Sequence, residues 1–244
     1  MIALLADIHS NLEALEACLA HAREAGARRF VLLGDLVGYG ADPEAVIERA
    51  MALRDAGAVV VQGNHDAAVA GEDSGLNAAA RAAIVWTRGV LPPPHKAFLA
   101  SLPLVVRDEG RCYVHATPWR PERWDYVDGP TAAARAMEAA GTPHAFCGHV
   151  HDQRLYFEQA NGRAGEFQPT AGTRVPIPRH RRWIAIAGST GQPRDGNPSA
   201  AYALLDDADG ITFHRVPYDH DTAAAKMERA GLPAALVYRV RRGI

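Results

Sequence analysis

Cysteine is scarce in this sequence: Cys18, Cys112 and Cys147 are the only three. They cannot all pair within the chain and none has zinc-site spacing, so reduced thiols in a cytoplasmic protein are expected. An excess of one charge is also lacking. A formal net charge of -2 gives no reason to expect general binding of nucleic acid or of a membrane surface. No apolar run approaches the roughly 20 residues of a membrane span, and no basic segment precedes the first apolar run, so neither a membrane helix nor a secretion signal is expected. Repeats and low-complexity linkers are missing too. The 244 residues, 48% of them hydrophobic, are therefore expected to share one core as a single domain, residues 1–244.

What is present is a set of apolar runs that each stop at a metal-type ligand. Val31-Leu32-Leu33 runs into Gly34-Asp35, and Leu4-Leu5-Ala6 into Asp7 and His9. Val59-Val60-Val61 leads to Asn64, His65 and Asp66, Cys112-Tyr113-Val114 to His115, and Ala145-Phe146-Cys147 to His149 and His151. In open α/β sheets ligands bind outside the carboxyl ends of the strands, so five such endings can define one site.

Between these runs the pattern is helical. Ser10 with Glu13 reads as a capping box ahead of Leu12, Leu15 and Leu19, and Asp42-Pro43 as the N-cap and first residue of a helix running to about Gly57. Strand, helix, strand, helix, strand predicts parallel strands with right-handed crossovers. Gly71 to Gly75 reads as a polar loop, Asn77 to Gly89 and Thr131 to Ala140 as helices, and Glu109-Gly110 as a hairpin turn. After Gln153 short strands follow one another, which predicts a second, largely antiparallel sheet. A last helix, Thr222 to Ala230, precedes Pro233 and a basic tail.

Carboxylate, imidazole and amide groups without a thiolate suit Mn²⁺, with Fe or Zn²⁺ as alternatives. Asp7 and His9, and likewise His149 and His151, are two residues apart, so both members of a pair can point into one cavity from an extended loop. Two ions about 3.5–4 Å apart can bind a phosphate on two oxygens and hold a hydroxide between them. A carboxylate must then bridge them, and Asp35 is the candidate.

Asp7-Ile8-His9, Gly34-Asp35, Gly63-Asn64-His65-Asp66, the lone His115 and Gly148-His149-Val150-His151 together resemble the calcineurin-like metallophosphoesterase superfamily. The run Gly188 to Gly196, which contains Arg194, is similar to a loop of its small bacterial, phosphodiesterase-like members. The resemblance implies an α/β fold, a four-layer αββα sandwich of two mixed sheets with the metals at one edge. By motif match one ion is held by Asp7, His9, Asp35 and His151, the other by Asp35, Asn64, His115 and His149. His65 would protonate the leaving oxygen or stabilise phosphoryl charge, with Asp66 fixing its ring and raising its pKa.

Charge counting bears on the substrate. Two divalent ions bring four positive charges, of which Asp7, Asp35 and a bridging hydroxide remove three, matching a monoanionic phosphodiester. Superfamily members that act on phosphoproteins carry an arginine shortly after the bridging Asp, where this chain has Tyr39. Arg194 or Arg120 could supply a compensating charge, and Trp119, in the aromatic stretch that ends at Tyr126, could stack a nucleobase. The expected activity is hydrolysis of a small or nucleotide-like phosphodiester. A phosphomonoesterase or dinucleoside polyphosphate hydrolase is the nearest alternative, and a non-catalytic metal-binding scaffold or regulator is the alternative from another class. Partners other than substrate reduce to a possible second copy of the chain. The tail Leu232 to Arg242 could dock on its own core or on that copy.

Overall fold

The strand β1 (Ile2–Leu5) is buried on both faces, and its alternation builds two interfaces at once. Ile2 and Leu4 face one apolar cluster while Ala3 and Leu5 face another. A computed structural model, which describes residues 1–71 and 75–244, shows what covers each face. Parallel to β1 lies β2 (Arg29–Leu32), and parallel to β2 lies β3 (Val59–Val60). The crossovers are α1 (Leu12–Glu24) and α2 (Pro43–Asp55), whose apolar stripes, Leu15 and Leu19 with Val46 and Ile47, bury the outer face of this sheet.

The chain then leaves the first sheet. After α3 (Asn64–Ala70), α4 (Ala78–Val90) and α5 (Pro93–Ala100), a hairpin of β4 (Val105–Asp108) and β5 (Arg111–Val114) starts a second one. Glu109 and Gly110 both have positive φ, 48° and 77°, the geometry a two-residue hairpin turn requires. A parallel strand β6 (His144–Cys147) follows α6 (Pro130–Ala140). Here too alternation divides the burial: Cys112, Val114, Ala145 and Cys147 pack on α6, while Tyr113 and Phe146 meet Leu4 and Leu33 of the first sheet. Helix, sheet, sheet, helix is the four-layer sandwich of two mixed sheets that the motifs imply.

The strands after Gln153 do not form a sheet of their own, contrary to the sequence expectation. Three of them, β7 (Gln153–Glu158), β8 (Ala164–Phe167) and β10 (Trp183–Ala187), extend the second sheet, in order β4-β5-β6-β10-β7-β8. The others, β9 (Arg174–Pro176), β11 (Ala200–Leu205) and β12 (Gly210–Val216), complete the first, in order β3-β2-β1-β11-β12-β9. Short-strand periodicity reports local conformation but not which open sheet edge a strand will occupy, and β1 and β6 each offered one. The run from Gly188 to Ser199 thus carries the chain from β10 in one sheet to β11 in the other.

Two helix caps differ from expectation. The cap of α1 is Asn11, whose side chain accepts from Ala14 N–H at 3.1 Å. Ser10 instead takes a left-handed backbone, φ 54°, with its N–H on the Leu36 carbonyl. Asp42 stands at the N-cap of α2, but its carboxylate pairs with Lys226 rather than capping. That lysine belongs to α7 (His220–Arg229), which forms a hairpin with α8 (Ala234–Arg242), the stretch read as a basic tail. Leu236, Val237 and Val240 of α8 are buried with Met227 and Tyr39, so the tail docks on its own chain. The Gly71–Gly75 loop includes residues 72–74, which lie outside the described residues.

Candidate metal centre

Because β1 and β2 are parallel in one sheet and β5 and β6 in the other, their carboxyl ends share one rim of the sandwich. Asp7 and His9 follow β1, Asp35 follows β2, and Asn64 and His65 open α3 just after β3. The facing sheet contributes His115 after β5 and His149 and His151 after β6. All seven Asp and His residues are buried.

Hydrogen bonding fixes what the imidazoles present to the rim. Nδ1 of His9, His115 and His151 lies on the carbonyls of Val37, Leu33 and Gln192, at 3.2, 2.8 and 2.6 Å. A carbonyl only accepts, so Nδ1 carries the proton and Nε2 offers a lone pair. Those Nε2 atoms converge. His9 and His151 approach to 3.2 Å, with Asp7 Oδ1 3.3 Å from His151. His115 Nε2 lies 3.1 Å from both Asn64 Oδ1 and His149 Nδ1, and 3.4 Å from Asp35 Oδ2. That oxygen is also 3.7 Å from His9 Nε2, so Asp35 stands between the two groups. Ligand atoms of Asp7, His9 and His151, and of Asp35, His115 and His149, each lie within 4.8 Å of one another. Acceptors brought this close without donors repel one another, and a divalent cation bound by neutral imidazole and carboxylate removes that repulsion.

Residues 1–210 match the calcineurin-like phosphoesterase superfamily domain. The chain belongs to this superfamily. An uncharacterized protein of Methanocaldococcus jannaschii is 35% identical over 98% of this chain and 97% of its own length. A metallophosphoesterase from Sphaerobacter thermophilus is 38% identical, with a TM-score of 0.89 over 100% of this chain and 98% of that one. A hypothetical protein from Pyrococcus horikoshii shares the fold, with a TM-score of 0.81 at 21% identity over 100% of this chain and 99% of that one. Membership makes the chain a phosphoesterase-type hydrolase by family, with His/Asp clusters suited to metal.

The backbone of this calcineurin-like domain is bent to serve its rim. Asp7, His9, Asp35, Tyr39, His149 and His151 all have φ between 50° and 70°, a region costing non-glycine residues roughly 1–2 kcal/mol each. Neighbouring chain holds them there: Asp7 N–H donates to Gly34, His9 N–H to Asp35 and Gly191 N–H to Asp7. Gly148 leaves no room for a side chain beside Asp7. A Cβ on it would sit 2.4 Å from Asp7 Oδ2 and 2.5 Å from Ala6 Cβ. Both neighbours are fixed by β1, so Gly148→Ala is expected to displace Asp7 or His149, destabilise the fold by about 1–3 kcal/mol and lower metal stoichiometry, measured by elemental analysis and thermal melting.

Electrostatics sharpen the contrast among the groups. Burial would raise the Asp7 carboxyl, but His151 outweighs it and brings the pKa to about 2. Burial likewise opposes charge on His115, yet Asp35 lifts it to about 9, so a divalent ion at its Nε2 would take the place of a proton there. His149 is pulled down by burial to about 3, and burial lowers His9 and His65 as well. Asp66 is raised by burial to about 7.

Asp66 does not do what the sequence reading gave it. Its Oδ2 accepts from Gly63 N–H at 2.9 Å and its Oδ1 from Val37 N–H at 3.2 Å, which closes the first turn of α3. As the third residue of that helix it points back along the axis, away from the neighbouring ring. His65 Nδ1 is buried without a partner. The His65 ring is instead held by packing, 4.5 Å from Tyr39 and 4.8 Å from His9 between ring centroids, and its pKa is lowered, not raised.

A cleft of about 410 Å³ opens over the rim, lined by Asp35, Tyr39, Asn64, His65, His149 and His151. Arg194 lines it too and lies against Tyr39. Trp119 and Arg120 do not. Trp119 is clasped between Arg120 and Arg135, whose guanidinium carbons lie 4.8 and 4.5 Å from its ring. Arg120 then turns left-handed, φ 50°, which reverses the chain and presents Arg123, Trp124 and Tyr126 to the cleft instead. Only the local density of aromatics signalled these three. The carbonyls of Leu33, Val37 and Gln192 carried no sequence signal at all. The basic run at 178–182 is a paired surface, with Arg179 on Asp209 and Arg182 on Glu158.

Proposed function

We propose that this chain is a dinuclear metal-dependent phosphodiesterase acting on a small or nucleotide-like ester. The observation that supports it best is the convergence of imidazole lone pairs on Asp35 from both sheets. Asp7, His9, Asp35 and His151 would hold one divalent ion, and Asp35, Asn64, His115 and His149 the other, with manganese as the expected metal. Bound there, such ions supply Lewis acidity toward phosphoryl oxygens and lower the pKa of water. The protein's own part is positional. The three backbone carbonyls fix imidazole tautomers, Asp35 Oδ1 is occupied by His65 N–H at 2.8 Å, and its Oδ2 is thereby left for the rim. His65, at the cleft wall, would donate a proton or hydrogen bond to the departing oxygen.

The preference for diesters rests on charge. Asp7 and Asp35 are the only carboxylates in the ligand set, and where a guanidinium would favour a dianion this chain has the buried phenol of Tyr39. Arg194 favours the second reading, a monoesterase or dinucleoside polyphosphate hydrolase, because its Nε is buried without a partner beside the cleft. Turnover of bis(p-nitrophenyl) phosphate, p-nitrophenyl phosphate and diadenosine tetraphosphate by manganese-loaded protein decides between them. The expected result is a kcat/KM for the diester at least about tenfold above the monoester, a difference of roughly 1.4 kcal/mol in transition-state binding. A reversed order that Arg194→Ala abolishes would establish the second reading, and no turnover of any ester would remove both.

A further inference from the structure

The loop between β5 and α6 carries more aromatic surface than it needs to hold itself down. Trp119, between its two arginines, and the buried Val127 already anchor it. Tyr126 contributes little to that anchoring, being 51% exposed. Yet its ring lies nearly parallel on His149, with centroids 4.1 Å apart and planes 26° apart. A ring stacked on one face and half exposed turns its other face to the cleft that it lines. Trp124 stands close by, edge-on to His115 with centroids 5.9 Å apart, in a left-handed backbone of φ 56° that a bulky residue rarely adopts. Two aromatic rings therefore border the space directly over the imidazoles of the rim, and Arg194 adds positive charge to the same cleft, whereas Arg123 is paired with Asp125 and Glu122 lines the cleft as well.

Resting on the phosphodiesterase reading, we infer that Tyr126 is a stacking platform for a nucleobase, which makes the substrate a nucleoside phosphodiester and Tyr126 a determinant of its specificity. A base on the open face of Tyr126 lies one ring beyond His149, a gap its sugar spans in bringing the phosphate back over Asp35 and Asn64. Every base has a π-face, so this platform selects nucleosides over simple alkyl groups and does not choose strongly among bases. The volume of the cleft, about 410 Å³, falls in the range of small-molecule sites.

Two measurements on manganese-loaded full-length protein test this. The first compares kcat/KM for thymidine 5′-(p-nitrophenyl phosphate) with that for methyl p-nitrophenyl phosphate. The wild-type ratio is expected to exceed about 10, to fall about tenfold in Tyr126→Ala through KM, and to survive in Tyr126→Phe, which keeps the ring. The second follows intrinsic tryptophan fluorescence during titration with adenosine 5′-monophosphate or ribose 5-phosphate. The nucleotide is expected to bind about tenfold more tightly, and Tyr126→Ala to erase that advantage. Equal handling of the two diesters, or a ratio unaltered by Tyr126→Ala, overturns the stacking role while leaving the phosphodiesterase reading in place. Selective, Tyr126-dependent nucleotide binding without cleavage of either diester upholds the stacking role and overturns the phosphodiesterase reading.

Discussion

Asp35→Asn is expected to reduce turnover of bis(p-nitrophenyl) phosphate by about 10³-fold or more and to lower bound manganese from two equivalents to one or none. The magnitude follows from position. Asp35 Oδ2 lies 3.4 Å from His115 Nε2 and 3.7 Å from His9 Nε2, and this carboxylate stands between the two imidazole groups. Asparagine keeps the carbonyl that accepts from His65 N–H, so the start of α3 stays in place while the charge is lost. Circular dichroism close to wild type together with depleted metal is the expected pair of results. Two tightly bound ions and full activity in Asp35→Asn would mean that no carboxylate is shared at this rim.

His65→Ala is expected to lower kcat by about 10²–10⁴-fold with both metals retained, since its ring, although close to His9 and Asp35, is not among the seven proposed ligands. Its neighbour is expected to behave differently. Asp66→Ala strips the acceptors from two buried N–H groups, those of Gly63 and Val37, and each buried donor left unpaired costs about 1–3 kcal/mol. A lower melting temperature, with activity falling only as far as folded protein is lost, is expected. Full activity in His65→Ala would remove the proton-donor role, and a kcat loss in Asp66→Ala without loss of stability would restore a catalytic role to the aspartate.

The contrast between these neighbours shows where the sequence is informative and where it is not. The spacing of Asp7, His9, Asp35, Asn64, His115, His149 and His151 was legible because each follows a run of apolar residues whose strand direction is fixed by local rules, and parallel strands put their ends together. Most helix and strand identities were legible for the same reason, but α3, β9 and α8, which are short or were read as turn or tail, were not. The role of Asp66 was not, since sequence adjacency to His65 says nothing of orientation once both residues sit in the first turn of a helix. Ser10 gave way to Asn11 as a cap because a tertiary hydrogen bond to Leu36 claimed its backbone. The partition of the later strands between the sheets is a matter of which open edge wins, a long-range competition without local signature. Trp119 and Tyr126 could not be ranked for the same kind of reason: a left-handed turn at Arg120 decides which of them meets the cleft.

The seven rim residues are shared out between two sheets that are separate in their strand pairing and pack through side chains such as Leu4, Leu33, Tyr113 and Phe146. Filled with cations, the rim would act as a rivet through both plates. Shear of one plate against the other would then be resisted at the very place where chemistry is done, and emptying the rivet hole should loosen that edge of the sandwich before any other.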